Sequence, residues 1–407
     1  MKKSIVILLS FFILILNSFS EQLPADYNSV HQNNDKQKES SPFLFDFGGN
    51  ISSNNTLSII NSEEITFSNN ERLELWVKVP FGKTKSSFFA MQGAYDFSLN
   101  TLDNEVIISN VLDLPLFKFT FKSSSDKSNT TINIGRFFLS DTTGYILYQD
   151  IDGIFTDFNF EKTDFSLFAG YTGFLNANSV SYFENPYELK TGIYTLSPGY
   201  FIASSRLAFN IFNTQFLNTE FLASIDTGKL DYHKMYATLT LNGTITQRFF
   251  YILQSSLGMN MKSDNTESLQ LSNLSKLDLS FYFNALESSF TLTGLFASAD
   301  GSVLKEFKPI TTMTSSVIGT SYSSMTKFGF LYTLKPTSSI FMSLSSDCLG
   351  IFDDKSNFGF AGFEWNYEAK WQILSDIFLA LQVQNFIPFT ENTDNLFVAG
   401  LRLGFTF

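Results

Sequence analysis

The chain ends in a strictly alternating segment, Asn395 to Phe407. One parity is small or polar and carries Arg402, whereas the other is apolar and consists of Phe397, Ala399, Leu401, Leu403, Phe405 and Phe407. Because the ends of soluble domains usually fray into solvent, an amphipathic strand at the very terminus needs partners along its whole length. We therefore expect this strand to lie inside a closed sheet, where both of its edges are hydrogen-bonded.

This ending, with Phe405 and the terminal Phe407, resembles the C-terminal signature of Gram-negative outer-membrane β-barrels. The resemblance implies an all-β fold, an antiparallel transmembrane β-barrel. It also implies outer-membrane lipid as the surroundings and the barrel assembly machinery as a partner that recognises Phe405 and Phe407. Such a barrel would leave its C-terminus in the periplasm.

The N-terminus has the architecture of a secretory signal peptide. Lys2 and Lys3 precede an apolar run that ends in small residues before Glu21, which predicts a signal peptide over residues 1–20. Residues 21–42 are polar and aperiodic, which predicts a disordered periplasmic lead-in, with a short plug inside the lumen as the alternative. The barrel itself is then expected over residues 43–407.

The composition agrees with a barrel and excludes several other classes of protein. The 48 Phe and 16 Tyr residues favour strands with an apolar outer band. A formal net charge of −12 argues against nucleic-acid binding, which depends on neutralising phosphates. A single cysteine, Cys348, excludes an internal disulfide, and His31 and His233 have no ligand partners at metal spacing. We predict no cofactor and no metal site.

Period-2 alternation and turn residues predict about 18 strands, with 16–18 favoured. Short and long connections largely alternate between them, as expected for periplasmic turns and external loops. The segment Thr314 to Ser324 could form a strand, but assigning it to a loop preserves this alternation. A soluble secreted β-sandwich or a β-solenoid array is the rival fold. The predicted strands cover residues 43–60, 71–81, 87–99, 106–122, 130–139, 153–160, 164–175, 200–212, 215–225, 235–245, 249–261, 277–284, 289–299, 326–334, 339–347, 358–373, 376–388 and 396–407.

No catalytic constellation is visible, and we predict that the protein is not an enzyme. Charged residues on the polar parity of the strands should face inward, because charge on the lipid face is costly. Facing cations and anions across a lumen select solutes by charge. The alternative is that these residues are solvated parts of the wall with no role in selectivity. The predicted pore-lining residues are Arg402, Arg206, Glu220, Asp157, Lys327, Lys118 and Arg136.

A second, shorter pattern joins Gly135-Arg136 to Asp150-Ile-Asp152-Gly153 across a predicted hairpin. It resembles substrate-specific porins and alginate-export barrels, which implies a porin-like channel. Arg136 shares the parity of Ile134 and Phe138, so its direction is ambiguous on local grounds. A calcium loop at Asp150 and Asp152 is the weaker interpretation, because the other ligand positions are missing.

Two long loops are further candidates for function. Loop 176–199 is unusually aromatic and is predicted to fold into the pore as a constriction, carrying Tyr182, Phe183, Tyr187 and Tyr194. Loop 300–325 is rich in Ser and Thr and is predicted to be exposed.

Three functions remain open from the sequence. The first is passive diffusion of small hydrophilic solutes through a porin-like channel, and a homo-oligomer is possible. The second is a surface adhesin or structural barrel with a closed lumen, whose external loops bind host ligands. The third is a transporter of hydrophobic substrates.

Overall fold

The computed structural model describes residues 45–407 except 62–63, 83–84, 103–104, 126, 181, 184–191, 213, 228–231, 263–268, 353–356 and 390–393. The predicted signal peptide and lead-in lie outside the described residues, as does Tyr187. Within these described residues, no helix is long and apolar enough to cross a membrane.

The described residues form eighteen strands, which confirms the predicted all-β barrel. Each predicted segment corresponds to one strand. Their bounds are β1 (Asp46–Ile60), β2 (Glu64–Phe81), β3 (Ser87–Leu102), β4 (Glu105–Ser124), β5 (Ser128–Ser140), β6 (Tyr148–Phe160), β7 (Thr163–Tyr171), β8 (Tyr200–Phe212), β9 (Gln215–Asp226), β10 (Tyr232–Thr246), β11 (Phe249–Lys262), β12 (Gln270–Phe283), β13 (Ser288–Ala297), β14 (Met325–Thr337), β15 (Ile340–Phe352), β16 (Phe358–Gln372), β17 (Ile377–Pro388) and β18 (Leu396–Thr406).

Three strands begin at least five residues earlier than their sequence patterns indicate. β2, β6 and β12 begin at Glu64, Tyr148 and Gln270, before their alternation becomes clear. Backbone hydrogen bonds alone can extend a strand past an apolar band, where neither face needs apolar side chains. The segment 314–324 is a loop, as predicted, and contains only an isolated bridge between Thr314 and Ser321.

Every strand is antiparallel to its neighbours in sequence, and β18 closes the sheet by pairing with β1. The pairing runs from Asn50–Thr406 to Ile60–Leu396. The terminal residue continues the ladder, because Phe407 N donates to Gly49 O (3.0 Å) and Gly49 N donates to Phe407 O (3.1 Å). The terminal strand is therefore paired on both edges.

The two faces of the barrel differ in polarity. The outer face carries an extensive set of exposed apolar side chains, including Leu73, Leu75, Phe119, Leu167, Phe221, Leu253, Phe328 and Leu381. Removing one such side chain from water is worth about 1.5–3 kcal/mol. Contact of this apolar band with lipid is therefore favourable, whereas its contact with water would be unfavourable.

The two ends of the barrel also differ. At one end, which we call the turn end, strands are joined by short turns such as 161–162 and 338–339. At the other, the loop end, the connections 141–147, 172–199 and 298–324 are longer. Buried residues of these loops, among them Ile146, Phe307 and Ile310, form one hydrophobic cluster with wall residues such as Phe137 and Ile202. The core of the protein therefore lies inside the barrel, towards the loop end.

Candidate channel site

Loop 141–147 is folded onto the inner wall by its own polar groups. The Asp141 carboxylate accepts hydrogen bonds from the backbone N–H groups of Ile146 and Leu147 (both 3.0 Å), which makes the loop a compact turn. Thr142 N donates to Glu220 on β9 (2.6 Å), and Gln254 on β11 donates to Thr142 O (3.0 Å). The loop is thereby anchored to strands well away from its own hairpin. Burial raises the pKa of Asp141, and the nearby charge of Glu220 raises it further.

Loop 298–324 also enters the barrel. Phe307 is fully buried and its ring lies 5.9 Å from that of Tyr236 on β10. Tyr236 Oη donates to Lys308 O (2.5 Å), and Lys234 Nζ donates to Pro309 O (2.8 Å). The prediction that this loop is exposed was therefore wrong. The apolar residues inside its polar sequence bury themselves against the inner wall, and they outweigh its Ser/Thr content.

The third loop, 172–199, meets the other two. Tyr182, predicted as a constriction residue, is buried, and its ring lies 4.7 Å from that of Tyr200. It forms a bridge with Thr311 of loop 298–324, whose backbone N–H donates in turn to Ile146 O (3.1 Å). Phe183 N donates to Ile310 O (3.2 Å). The three loops thus hold one another as well as the wall.

Two tyrosines mark the contact between loops 141–147 and 298–324. The rings of Tyr145 and Tyr322 lie 4.4 Å apart, and Lys276 Nζ lies 5.1 Å from the Tyr145 ring centre. Burial, with a smaller contribution from Tyr145, raises the pKa of Tyr322 to about 12. The Tyr322 hydroxyl therefore stays neutral at physiological pH. We call this pair the tyrosine contact.

Charges of both signs surround the tyrosine contact. Lys276 pairs with Asp278 (2.8 Å), and the Lys327 ammonium pairs with both Glu364 (2.9 Å) and Asp347 (3.0 Å). Lys327 also donates to Ser315 O, and Glu364 accepts from Val317 N, so these charges hold loop 298–324. The group can offer a solute both a cation and carboxylates next to aromatic faces.

Wall residues that form hydrogen bonds with the inward loops identify the inner face of the barrel. The cross-strand register then shows which of the other predicted residues lie on the same face. Asp157, Ser166, Arg206 and Glu220 are successive partners across β6 to β9. Arg206 and Glu220 form an ion pair at 2.9 Å, in which the Glu220 side chain is only 2% exposed. The structure therefore places Asp157, Arg206 and Glu220 in one row across the inner face, whereas the sequence predicted each of them separately.

Arg402 and Lys118 also lie on the inner face, on other parts of the wall. The Arg402 guanidinium lies 5.5 Å from the ring centre of the buried Phe378 and 3.5 Å from the carboxylate of Glu368. Lys118 is the cross-strand partner of Ala90 and Gly135. A role for these residues in selectivity stays a prediction.

Arg136 is a correction to the predicted set, because its register places it on the outer face. Its partners are Phe117, which is exposed among the outer apolar residues, and Asp152, which it binds through two hydrogen bonds of 2.8 and 2.7 Å. The Gly-Arg and Asp-Gly pattern thus forms an ion pair of the wall. Tyr194 is likewise no constriction residue: it is exposed, and it accepts a hydrogen bond from Arg136 (3.3 Å).

Sequence reasoning missed Tyr145, Tyr322, Lys276, Asp347 and Glu364. The parity of the three strand residues could have marked them as inward-facing. Tyr145 and Tyr322 are aromatic residues within polar loops, the same signal that singled out loop 176–199.

No known family model and no curated protein sequence matches the chain. Among solved structures, OccAB4 of Acinetobacter baumannii is similar, with a TM-score of 0.59, 10% identity and coverage of 89% of this chain and 98% of that one. The outer membrane protein OpdK of Pseudomonas aeruginosa, solved with vanillate, has a TM-score of 0.58, 11% identity and the same coverage. OccK5 (OpdH) of Pseudomonas aeruginosa has a TM-score of 0.57, 8% identity and again the same coverage. These neighbours are channels rather than enzymes, and the chain has the closed antiparallel barrel fold of the Occ and Opd outer-membrane porins.

Proposed function

We propose that the protein is an outer-membrane channel through which small hydrophilic solutes diffuse without energy coupling. The observation that carries this proposal is the tyrosine contact, where inward loops meet inside a closed barrel beside Lys276 and Lys327. An apolar outer band with a charged inner wall fits a pore in lipid. The structural neighbours support the same function, and OpdK has been solved with the small solute vanillate.

The orientation and processing of the chain belong to the proposal. Residues 1–20 would be removed as a signal peptide, and residues 21–42 would remain as a periplasmic lead-in. The turn end, which carries Phe407, would face the periplasm, and Phe405 and Phe407 would be recognised by the assembly machinery. The loop end would then face outward.

Conductance in a planar bilayer tests the channel. The refolded protein should give stable stepwise currents, because the inner wall is polar. Lys276→Glu should shift the reversal potential in a salt gradient towards cation selectivity, since it reverses a charge at the tyrosine contact. Lys335→Glu is the matched control, because Lys335 is an exposed lysine near the turn end that also pairs with a carboxylate, that of Glu287 (3.1 Å). Equal shifts in both variants would contradict a constriction at the tyrosine contact.

A surface adhesin or structural barrel with a closed lumen is the second candidate. The hydrophobic cluster formed by the three inward loops favours it, because packed apolar side chains exclude water from part of the lumen. A folded, heat-modifiable protein that gives no current would support this candidate. Binding of the loop end to host-cell molecules could then be measured directly.

A further inference from the structure

One seam in the barrel wall is incomplete. β4 pairs with β3 along its length, but its ladder with β5 runs only from Phe117–Arg136 to Ser124–Asn129. Residues 105–116 therefore have no partner on β5. β5 continues to Ser140 paired with β6, so the β5–β6 hairpin leaves β4 as a unit.

Local chemistry explains where the two strands part. Gly135 has a φ of +122°, and a Cβ there would lie 2.1 Å from Phe117 O, so only glycine permits this approach. On the β4 side, Pro115 has no N–H to offer to a ladder. The last pair of the ladder, Phe117–Arg136, thus lies between Gly135, which permits the close approach of the two strands, and Pro115, which cannot continue the ladder.

Two passes of loop 172–199 fill the seam. Residues 174–176 and 192–196, which we call the seam plug, are joined by a bridge between Asn176 and Leu196. Leu112 N donates to Ile193 O (3.2 Å), and the Asn176 amide donates to Leu112 O (3.0 Å) and to Ile193 O (3.1 Å). A few hydrogen bonds thus replace the continuous ladder found elsewhere in the wall.

Arg136 ties the plug to the wall. Besides its ion pair with Asp152, its guanidinium donates to Phe174 O (2.8 Å), Tyr194 Oη (3.3 Å) and Leu114 O (3.4 Å). One side chain therefore contacts β4, β6 and both passes of the plug. Its release would free all of them together.

The seam changes from apolar to acidic across the wall. On the outside, Leu112, Phe174, Ile193 and Leu196 are each more than half exposed. On the inner face, Asp113 is the cross-strand partner of the buried Ala94. Next to it on the inner wall, Arg72 pairs with both Glu74 and Asp96, and within the described residues Asp113 has no salt bridge, so the inner side of the seam carries an excess of negative charge. An apolar entrance that leads to an excess of carboxylates fits a molecule with an apolar tail and a cationic head.

We propose that the seam between β4 and β5 is a side entrance, through which small cationic amphiphiles pass between the membrane and the lumen when the plug moves aside. This route goes beyond the proposed aqueous channel, because its solutes arrive from the lipid.

Cross-linking the seam shut tests the proposal. In a Cys348→Ser background, Leu112→Cys and Ile193→Cys place two thiols on either side of the seam. A short bis-methanethiosulfonate reagent can join them, and a reducing agent releases them, so one sample serves as its own control. The purified barrel in lipid vesicles is then exposed to an octyltrimethylammonium probe that carries a diazirine beside its head group.

After illumination and mass spectrometry, the reduced protein should carry the label on peptides that contain Asp113. Cross-linking should abolish that label, and an octanesulfonate probe with the same diazirine should not give it. Labelling that is unchanged by the cross-link would overturn the side entrance, and equal labelling by the sulfonate would overturn its preference for cations.

Bilayer currents give a second, independent measurement. Octyltrimethylammonium supplied in the lipid should reduce the current of the reduced protein but not of the cross-linked protein. Tetramethylammonium, which has no tail, should act equally on both. A protein that gives no current would contradict the proposed channel only, because photolabelling decides the side entrance without it.

Discussion

The barrel wall is closed in two physically different ways. Where β18 meets β1, an uninterrupted ladder from Asn50 to Ile60 makes the joint. Where β4 meets β5, the ladder stops at Phe117, and the rest of the joint consists of the seam plug and Arg136. The first joint distributes its free energy over many equivalent hydrogen bonds, whereas the second concentrates it in a few side chains. Single substitutions should therefore matter far more at the seam.

The largest effect is expected from Arg136→Met. It leaves the Asp152 carboxylate without its partner and frees the plug, and removing one member of a buried ion pair costs about 3–5 kcal/mol. Urea unfolding in detergent, read by the heat-modifiable band on gels, should show the loss. Arg248→Met, at an exposed turn near the turn end, is the control and should change little. Similar losses in both variants would contradict the role of Arg136.

A glycine pair offers the sharpest comparison between the two joints. Gly135→Ala forces a Cβ against Phe117 O at a positive φ, which should cost about 1–3 kcal/mol of unfolding free energy. Gly400→Ala on β18 meets no atom closer than 3.7 Å and should change stability by less than about 0.5 kcal/mol. The same urea titration measures both. Equal effects would mean that the seam is no more constrained than the closure.

A smaller effect is expected from Asn176→Ala, which removes the four hydrogen bonds of this side chain: two donated to Leu112 O and Ile193 O and two accepted from Asn178 N and Thr195 N. The loss should be about 1–2 kcal/mol, and it should appear as faster hydrogen exchange at the Leu112 amide. Asn55→Ala on β1 is the control, because the Asn55 side chain bonds to Ser53 and Asn69 and not across the closure. Unchanged exchange at Leu112 would show that the plug does not protect the edge of β4.

Much of the fold could be predicted because the relevant signals are local. Leu401, Leu403 and Phe405 reveal one face of β18 by their spacing alone, and the turn residues near 161–162 mark the ends of two strands. Inner-wall residues such as Arg206 and Glu220 follow from the same parity. Prediction failed for loop 298–324, because the burial of Phe307 depends on Tyr236, a residue far away in the sequence.

The sequence by itself determined an antiparallel barrel of about 18 strands with an apolar outside, since side-chain direction in a strand repeats every two residues. Only the tertiary structure decided which loops enter the barrel and what Arg136 does. Phe174 and Tyr194 lie 38 and 58 residues from Arg136 along the chain, yet they surround its guanidinium on the outer face. No local pattern encodes such an arrangement, because it depends on how a loop returns to a gap that the wall itself creates.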